Sequence, residues 1–204
     1  MSDNLFPVAA GSNAVSIAQE VAELAKVPSK NTEGLQHLKF VKGDWKYGKE
    51  EIIFEDDEVL LVNPLSFVAG WQGWEDRKPI SGPIVPLKDA GSLPPESTLQ
   101  PIKPGNRNGW SPLLGVTFLL VEDDGARTTL QYHTTSYGGR DFVAKLKDEI
   151  VAGVSKHAAA PLCLVKLTFG SYIHSENDKV YTPEFEIVGW ADEKGEEVKK
   201  LTPG

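Results

Sequence analysis

The amino-acid sequence predicts a mainly β, α+β chain, and three observations predict it. Short apolar runs recur with strand-like alternation, most clearly at residues 116–121 and 127–134. One stretch, residues 141–153, has helical spacing instead, with Phe142, Leu146, Ile150 and Val151 along one side. Between the patterned stretches lie segments rich in Pro, Gly and Asn, which read as turns and loops.

Taken in order, residues 1–34 form a polar N-terminal segment. Within it, residues 13–26 read as a short helix that Asn13 caps, with Ala14, Ile17, Val21 and Leu24 on one stripe. That stripe packs on the body or offers a surface for self-association. Residues 35–190 read as a single β-rich domain. Ile52-Ile53-Phe54 and Val59-Leu60-Leu61-Val62 are short strands around an acidic turn, and residues 67–74 and 83–87 are two more. Residues 92–112 form a long loop, a length that in compact domains often carries function. The step Asp124-Gly125 favours a hairpin between the strands at 116–121 and 127–134. After the helix come strands at 162–172 and 185–190, and residues 191–204 are a charged tail. Strands, one helix, then two strands is the order of a five-stranded oligonucleotide/oligosaccharide-binding (OB) barrel, with its helix between the third and fourth strands.

The corner that starts the helix is Thr134-Thr135-Ser136-Tyr137-Gly138-Gly139-Arg140. Two glycines at a strand-to-helix junction let the backbone turn tightly, and the positive end of the helix dipole suits a phosphate. The corner matches neither the P-loop nor the dinucleotide-binding glycine pattern. A phosphodiester contact and a plain helix-capping turn both remain open.

The chain has 204 residues, a net charge of −8 and one cysteine, Cys163. No run of about twenty apolar residues is present, which excludes a membrane-spanning helix, and the first residues lack the pattern of a secretory signal. A lone cysteine cannot form an internal disulfide, so a reducing cytoplasm is the expected setting. The acidic balance excludes a uniformly basic nucleic-acid coat, but it is uneven. Residues 101–121 hold Lys103 and Arg107 and no acid. Residues 125–170 hold Arg127, Arg140, Lys145, Lys147, Lys156 and Lys166 against Asp141, Asp148 and Glu149. Local field, not net charge, decides where a polyanion docks.

Aromatic faces that stack bases and cations that follow the backbone are what single-stranded nucleic acid requires. Trp71 and Trp74 in Gly70-Trp71-Gln72-Gly73-Trp74, Trp110 beside Arg107, and Tyr137 supply such faces. Arg107, Arg127, Arg140, Lys145 and Lys147 supply cations, with the Gly138 and Gly139 amides assisting. Tryptophans also fill β cores, and a one-residue slip in register reverses the face of Trp71 and Trp74. Enzymatic chemistry finds little support. There is no nucleophile elbow, the four histidines show no metal spacing, and Cys163 lies in an apolar strand. No cofactor or metal is expected.

Three strings occur together: Val62-Asn63-Pro64-Leu65-Ser66-Phe67 leading to Gly70-Trp71-Gln72-Gly73-Trp74; the Thr134–Arg140 corner; and Lys179-Val180-Tyr181-Thr182-Pro183-Glu184-Phe185-Glu186-Ile187-Val188-Gly189-Trp190. They resemble a family of small, mostly uncharacterised bacteriophage and prophage proteins, over residues 44–190. The resemblance implies a phage protein acting in the host cytoplasm. With the OB-like element order, the expected function is coating of single-stranded DNA in replication or recombination. One departure stands out. Bacterial single-strand-binding proteins end in an acidic tip with a terminal Phe, whereas this chain ends Glu196-Glu197-Val198-Lys199-Lys200-Leu201-Thr202-Pro203-Gly204. The rival expectation is a virion component or adaptor whose tryptophans are core. A weaker third is a metal-dependent nuclease or hydrolase using the acidic clusters at 55–58, with Asp56 and Asp57, and 122–124.

Overall fold

The longest apolar run in the chain organises the sheet around itself. In the computed structural model, residues 35–55, 58–76, 78–102, 109–121, 127–154, 156–157, 160–174 and 178–192 are described. The strands among them are β1 (Leu35–Val41), β2 (Asp44–Tyr47), β3 (Ile52–Ile53), β4 (Leu60–Val62), β5 (Val68–Glu75), β6 (Lys78–Pro86), β7 (Ser111–Val121), β8 (Arg127–Thr134), β9 (Leu162–His174) and β10 (Asp178–Ala191). The α-helix described is α1 (Tyr137–Val154). The strands join in one sheet of order β10-β9-β4-β7-β8-β1-β2-β3, curled into an open half-barrel.

β7 is central because its sequence, Leu113-Leu114-Gly115-Val116-Thr117-Phe118-Leu119-Leu120, is apolar on both faces. One edge of it pairs with β8 from Leu114 to Val121. The other edge forks: its N-terminal half pairs with β5 and its C-terminal half with β4. β6 hangs from β5 alone, and Pro79, Pro83 and Pro86 along it blunt that outer edge against further pairing. β1 and β8 pair in parallel, whereas every other ladder is antiparallel.

The inner face of the sheet carries the core. Val116, Phe118 and Leu120 of β7, Leu130 and Tyr132 of β8, Leu60 and Val62 of β4, and Cys163 and Val165 of β9 are all buried there. Period-two alternation puts each of these sets on one side of its strand. α1 fills the hollow with Phe142, Val143, Leu146 and Ile150, the face that the 3.6-residue spacing marks out. It runs the same way as β10. Gly138 abuts Thr182 and Pro183, Phe142 meets Phe185 edge-on at 5.5 Å, and Gly153 lies against Trp190.

The open side of the half-barrel is held by side chains. Trp45 of β2 donates its indole N–H to the Thr168 carbonyl of β9 at 2.8 Å. Its ring packs on Phe40, Tyr132 and Phe142 at centroid distances of 5.1, 5.1 and 5.2 Å. The β1–β2 turn, Lys42-Gly43, has positive φ at both residues, the geometry of a tight two-residue hairpin. A Cβ on Gly43 would come 2.9 Å from the Tyr181 ring of β10, so glycine is required there both for backbone and for space.

The expectation of a mainly β chain holds, but the strands number ten among the described residues, not five. β1 and β2 escape a hydropathy reading because lysines and a histidine occupy their outer face. The helix comes after eight strands and before the last two. It starts at Tyr137, four residues before the periodic run. The strand expected at 116–121 begins at Ser111, and β10 begins at Asp178, not at 185. A 3-10 turn at Leu87–Ser92 leads into the loop expected at 92–112, which forms a second at Glu96–Thr98 and gives its last two residues to β7. The helix expected at 13–26, Arg107, Asp56 and Asp57, and the tail from 193 onward lie outside the described residues.

Candidate nucleic-acid interface

Trp71 and Trp110 fasten the segment that follows β6. Trp71 donates its indole N–H to the Pro94 carbonyl at 3.0 Å, and Trp110 to the Gln100 carbonyl at 2.9 Å. The Trp110 ring lies over Gly73 of β5 and Gly82 of β6, and Ile102 also reaches Gly73. Neither glycine has room for a Cβ, which is why a wide indole can lie flat on this ribbon. Both tryptophans are half-buried. The register between β5 and β6 shifts between Gly70 and Gln72, so Trp71 sits at an irregularity. Trp74 is the more open of the β5 pair, 37% exposed.

The glycine corner is built as a helix cap. Ser136 is the capping residue: its Oγ accepts from the Gly139 N–H at 3.1 Å, and its carbonyl accepts from the Arg140 N–H at 2.9 Å. Thr134 Oγ1 lies 3.1 Å from Ser136 Oγ and accepts the Ser136 N–H at 3.3 Å. The Tyr132 hydroxyl completes the cluster beside Thr134; burial pushes its pKa up to about 12, against the opposing effect of the Thr134 hydrogen bond. Gly139 is therefore committed: its N–H is used, and a Cβ would run into Thr134 Oγ1, the Tyr132 hydroxyl and Ser136 Oγ. Gly138 is not, since a Cβ there meets Thr182 and Pro183 only at 3.6 and 3.7 Å. Tyr137, just before it, is 83% exposed. Arg140 is half-buried, and its Nε is shielded from solvent with no hydrogen-bond partner among the described residues.

The remaining cations are dispersed. Lys145 is exposed and ion-paired with Asp141 at 2.7 Å, one turn away; that hydrogen bond raises its pKa. Lys147 pairs with Asp148 at 2.8 Å. Arg127 opens β8, whereas the glycine corner follows its end, about 23 Å further along an eight-residue strand. Register brings other candidates closer. Trp71 pairs with Pro112, beside Trp110, and two residues further along β7 Leu114 pairs with Thr134. The tryptophan ribbon and the glycine corner thus share one end of the sheet, while Arg127 stands at the other.

The structure also displays an aromatic ring, Phe169, that was not among the sequence candidates. Beyond its pairing with β4, β9 continues with β10 as a two-stranded ribbon. Phe169, Tyr172 and Ile173 are exposed on it. Phe169 contacts Tyr181 edge-on at 5.9 Å, and Lys179 Nζ lies 4.8 Å from the centre of the Tyr181 ring. The sequence signal existed, in Phe169, Tyr172 and Tyr181, but at the end of an apolar strand Phe169 looks like more core.

Cys163 is buried, and desolvation, reinforced by the nearby Glu149, pushes its thiol up to about 12, which removes nucleophilic character. Among the described residues no group of three or more His, Cys, Asp or Glu is arranged to hold a metal ion. No helix among them is long and apolar enough to cross a membrane. No protein-family model, no curated protein and no solved structure matches the chain.

Proposed function

We propose that this chain is a single-stranded DNA-binding protein with an OB-like half-barrel, coating the strand during phage replication or recombination in the host cytoplasm. The observation that carries the reading is Tyr137. A tyrosine held 83% exposed at a capped helix N-terminus, with Arg140 in the same first turn and the Asp141-paired Lys145 just over two turns on, is poorly explained by packing. It is well suited to stacking on a base, worth about 1–3 kcal/mol per base. A curled, mainly β sheet with one helix before the last strand pair supports the OB-like part of the reading. Trp74, partly exposed on β5, is a second candidate face.

A second reading, a structural or adaptor protein, is favoured by one specific observation. The indole N–H groups of Trp71 and Trp110 are both bonded to carbonyls of the 87–102 segment, so these rings serve the fold. Fluorescence anisotropy of a labelled oligo-dT strand separates the two. Saturable binding at low salt is expected, weakening with salt along a shallow slope and absent with a duplex of the same length. Flat anisotropy at low salt would sink the DNA-binding reading and leave the adaptor.

A further inference from the structure

We infer that the single strand is held on the inner face of the β9–β10 ribbon, by Phe169, Tyr181 and Lys179, in continuation of Tyr137. The inference rests on the single-stranded DNA reading and assigns the place where it happens. Strand alternation divides the ribbon into two chemically different faces. On β9, the face that carries Cys163, Val165 and Leu167 into the core continues as Phe169, Ser171 and Ile173. On β10 the same face continues from Ile187 and Phe185 through Pro183 and Tyr181 to Lys179. The register confirms the match, because Pro183 pairs with Phe169 and Tyr181 with Ser171, with no irregularity before Ile187. That face carries a lysine, two aromatic rings and no acid.

The acids lie on the other face. Glu184 and Glu186 alternate with Tyr181, Pro183 and Phe185, and Glu184 lies against Gly170 while Glu186 pairs with Lys166. In an acidic chain this segregation matters, since a polyanion is repelled from one side of the ribbon and admitted on the other. Apolar packing alone would not need it. Phe169 is 52% exposed, although it extends a core face, and Lys179 is already placed over the ring of Tyr181. A base stacked on Phe169 would leave its phosphate near Lys179.

The path connects to the helix. The Gly138 backbone abuts Thr182 and Pro183, one residue from each face of β10, so Tyr137 stands at the ribbon's edge beside the track, where Glu184 also acts on Lys145. At the other side, the Lys42-Gly43 turn packs on Tyr181 and borders the track with a further exposed lysine.

The opposite face supplies matched controls. Tyr172 is 51% exposed on the acidic face, and Lys166 is its cation. Anisotropy with oligo-dT should show Phe169→Ala weakened at least about fivefold and Tyr172→Ala unchanged. Lys179→Gln should lower the salt slope by about 0.7, the value of one single-strand phosphate contact, while Lys166→Gln leaves it alone. Circular dichroism of each variant keeps loss of fold apart from loss of contact, and the lysine pair decides if Phe169→Ala unfolds. Wild-type protein that binds oligo-dT, with Phe169→Ala and Lys179→Gln binding as tightly, would overturn this assignment and leave the function standing. Wild-type protein that does not bind would overturn both.

Discussion

The indole N–H of Trp45 donates to the carbonyl of Thr168 at 2.8 Å, and that bond spans the open side of the half-barrel. β2 and β9 share no backbone ladder, so the sheet is closed here by one side chain. The ring is 4% exposed and touches Phe40, Tyr132 and Phe142, which makes it both a bridge and the centre of the aromatic core.

Trp45→Phe separates the two roles. It keeps most of the ring packing and leaves the Thr168 carbonyl without its donor, at a cost of about 1–3 kcal/mol. Trp45→Ala removes both and should cost about 3–5 kcal/mol. Urea denaturation checks this, with midpoints falling in that order. A Trp45→Phe midpoint equal to wild type would mean that the bond contributes nothing to closure.

The adjacent glycines of the corner should respond with opposite signs. A Cβ on Gly139 collides with three oxygens, and overpacking of this kind costs about 1–3 kcal/mol, more than the helix propensity alanine brings. At Gly138 a Cβ makes only ordinary contacts, so alanine should stabilise by about 0.4–1 kcal/mol through the unfolded chain. Ser136→Ala, which removes the cap on the Gly139 N–H, should cost about 0.5–2 kcal/mol. Thermal melts of the three variants read this directly, and equal responses at the two glycines would contradict the geometry.

These two examples show what the sequence made legible. The helix was readable, because Phe142, Leu146 and Ile150 keep helical spacing, but its first turn was not, because Tyr137 to Arg140 read as the turn before it. Which glycine is obligatory was not, because that depends on Tyr132 and Thr134 arriving from β8. β1 and β2 were hidden for a related reason. Leu38, Phe40, Trp45 and Tyr47 alternate, but His37, Lys39 and Lys46 between them make the stretch read as polar. The tryptophans were found, whereas the fastening of Trp71 and Trp110 required knowing that 87–102 folds back to bring the Pro94 and Gln100 carbonyls to their indoles. The exposed face of Phe169 was missed because alternation is the same for a core strand and for a projecting ribbon.

Burial lowers the pKa of His133 to about 4, with the charge of His37 adding to the effect, so the folded protein keeps this imidazole neutral. Its ring lies against Gly115, the residue it pairs with on β7. An unfolded chain takes up the proton near pH 6.5, and the folded one only near pH 4. Stability from this group is therefore complete above pH 6.5 and is lost as the pH falls towards 4, by up to about 3 kcal/mol. His133→Gln should flatten that part of the stability curve relative to wild type. Denaturant midpoints between pH 4 and 7 test it, and parallel curves would show that His133 titrates normally.

Trp71 and Trp110 should reveal themselves through the segment they fasten. Each holds one point of the 87–102 stretch by an indole N–H, at Pro94 and at Gln100, between ends anchored by Leu87 on the Phe67 carbonyl and Ile102 on Gly73. Trp110→Phe keeps a ring over Gly73 and Gly82 but frees the Gln100 carbonyl; Trp110→Ala also uncovers both glycines. Local opening then requires less free energy than global unfolding, and proteolysis follows the population of the open form. Limited digestion should cut between residues 87 and 102 faster in Trp110→Phe, and faster still in Trp110→Ala, with little change in the global melting temperature. If the rings stack on DNA and do not serve the loop, cleavage would stay at the wild-type rate while oligo-dT affinity fell. Loop release with unchanged oligo-dT affinity would assign Trp110 wholly to the fold.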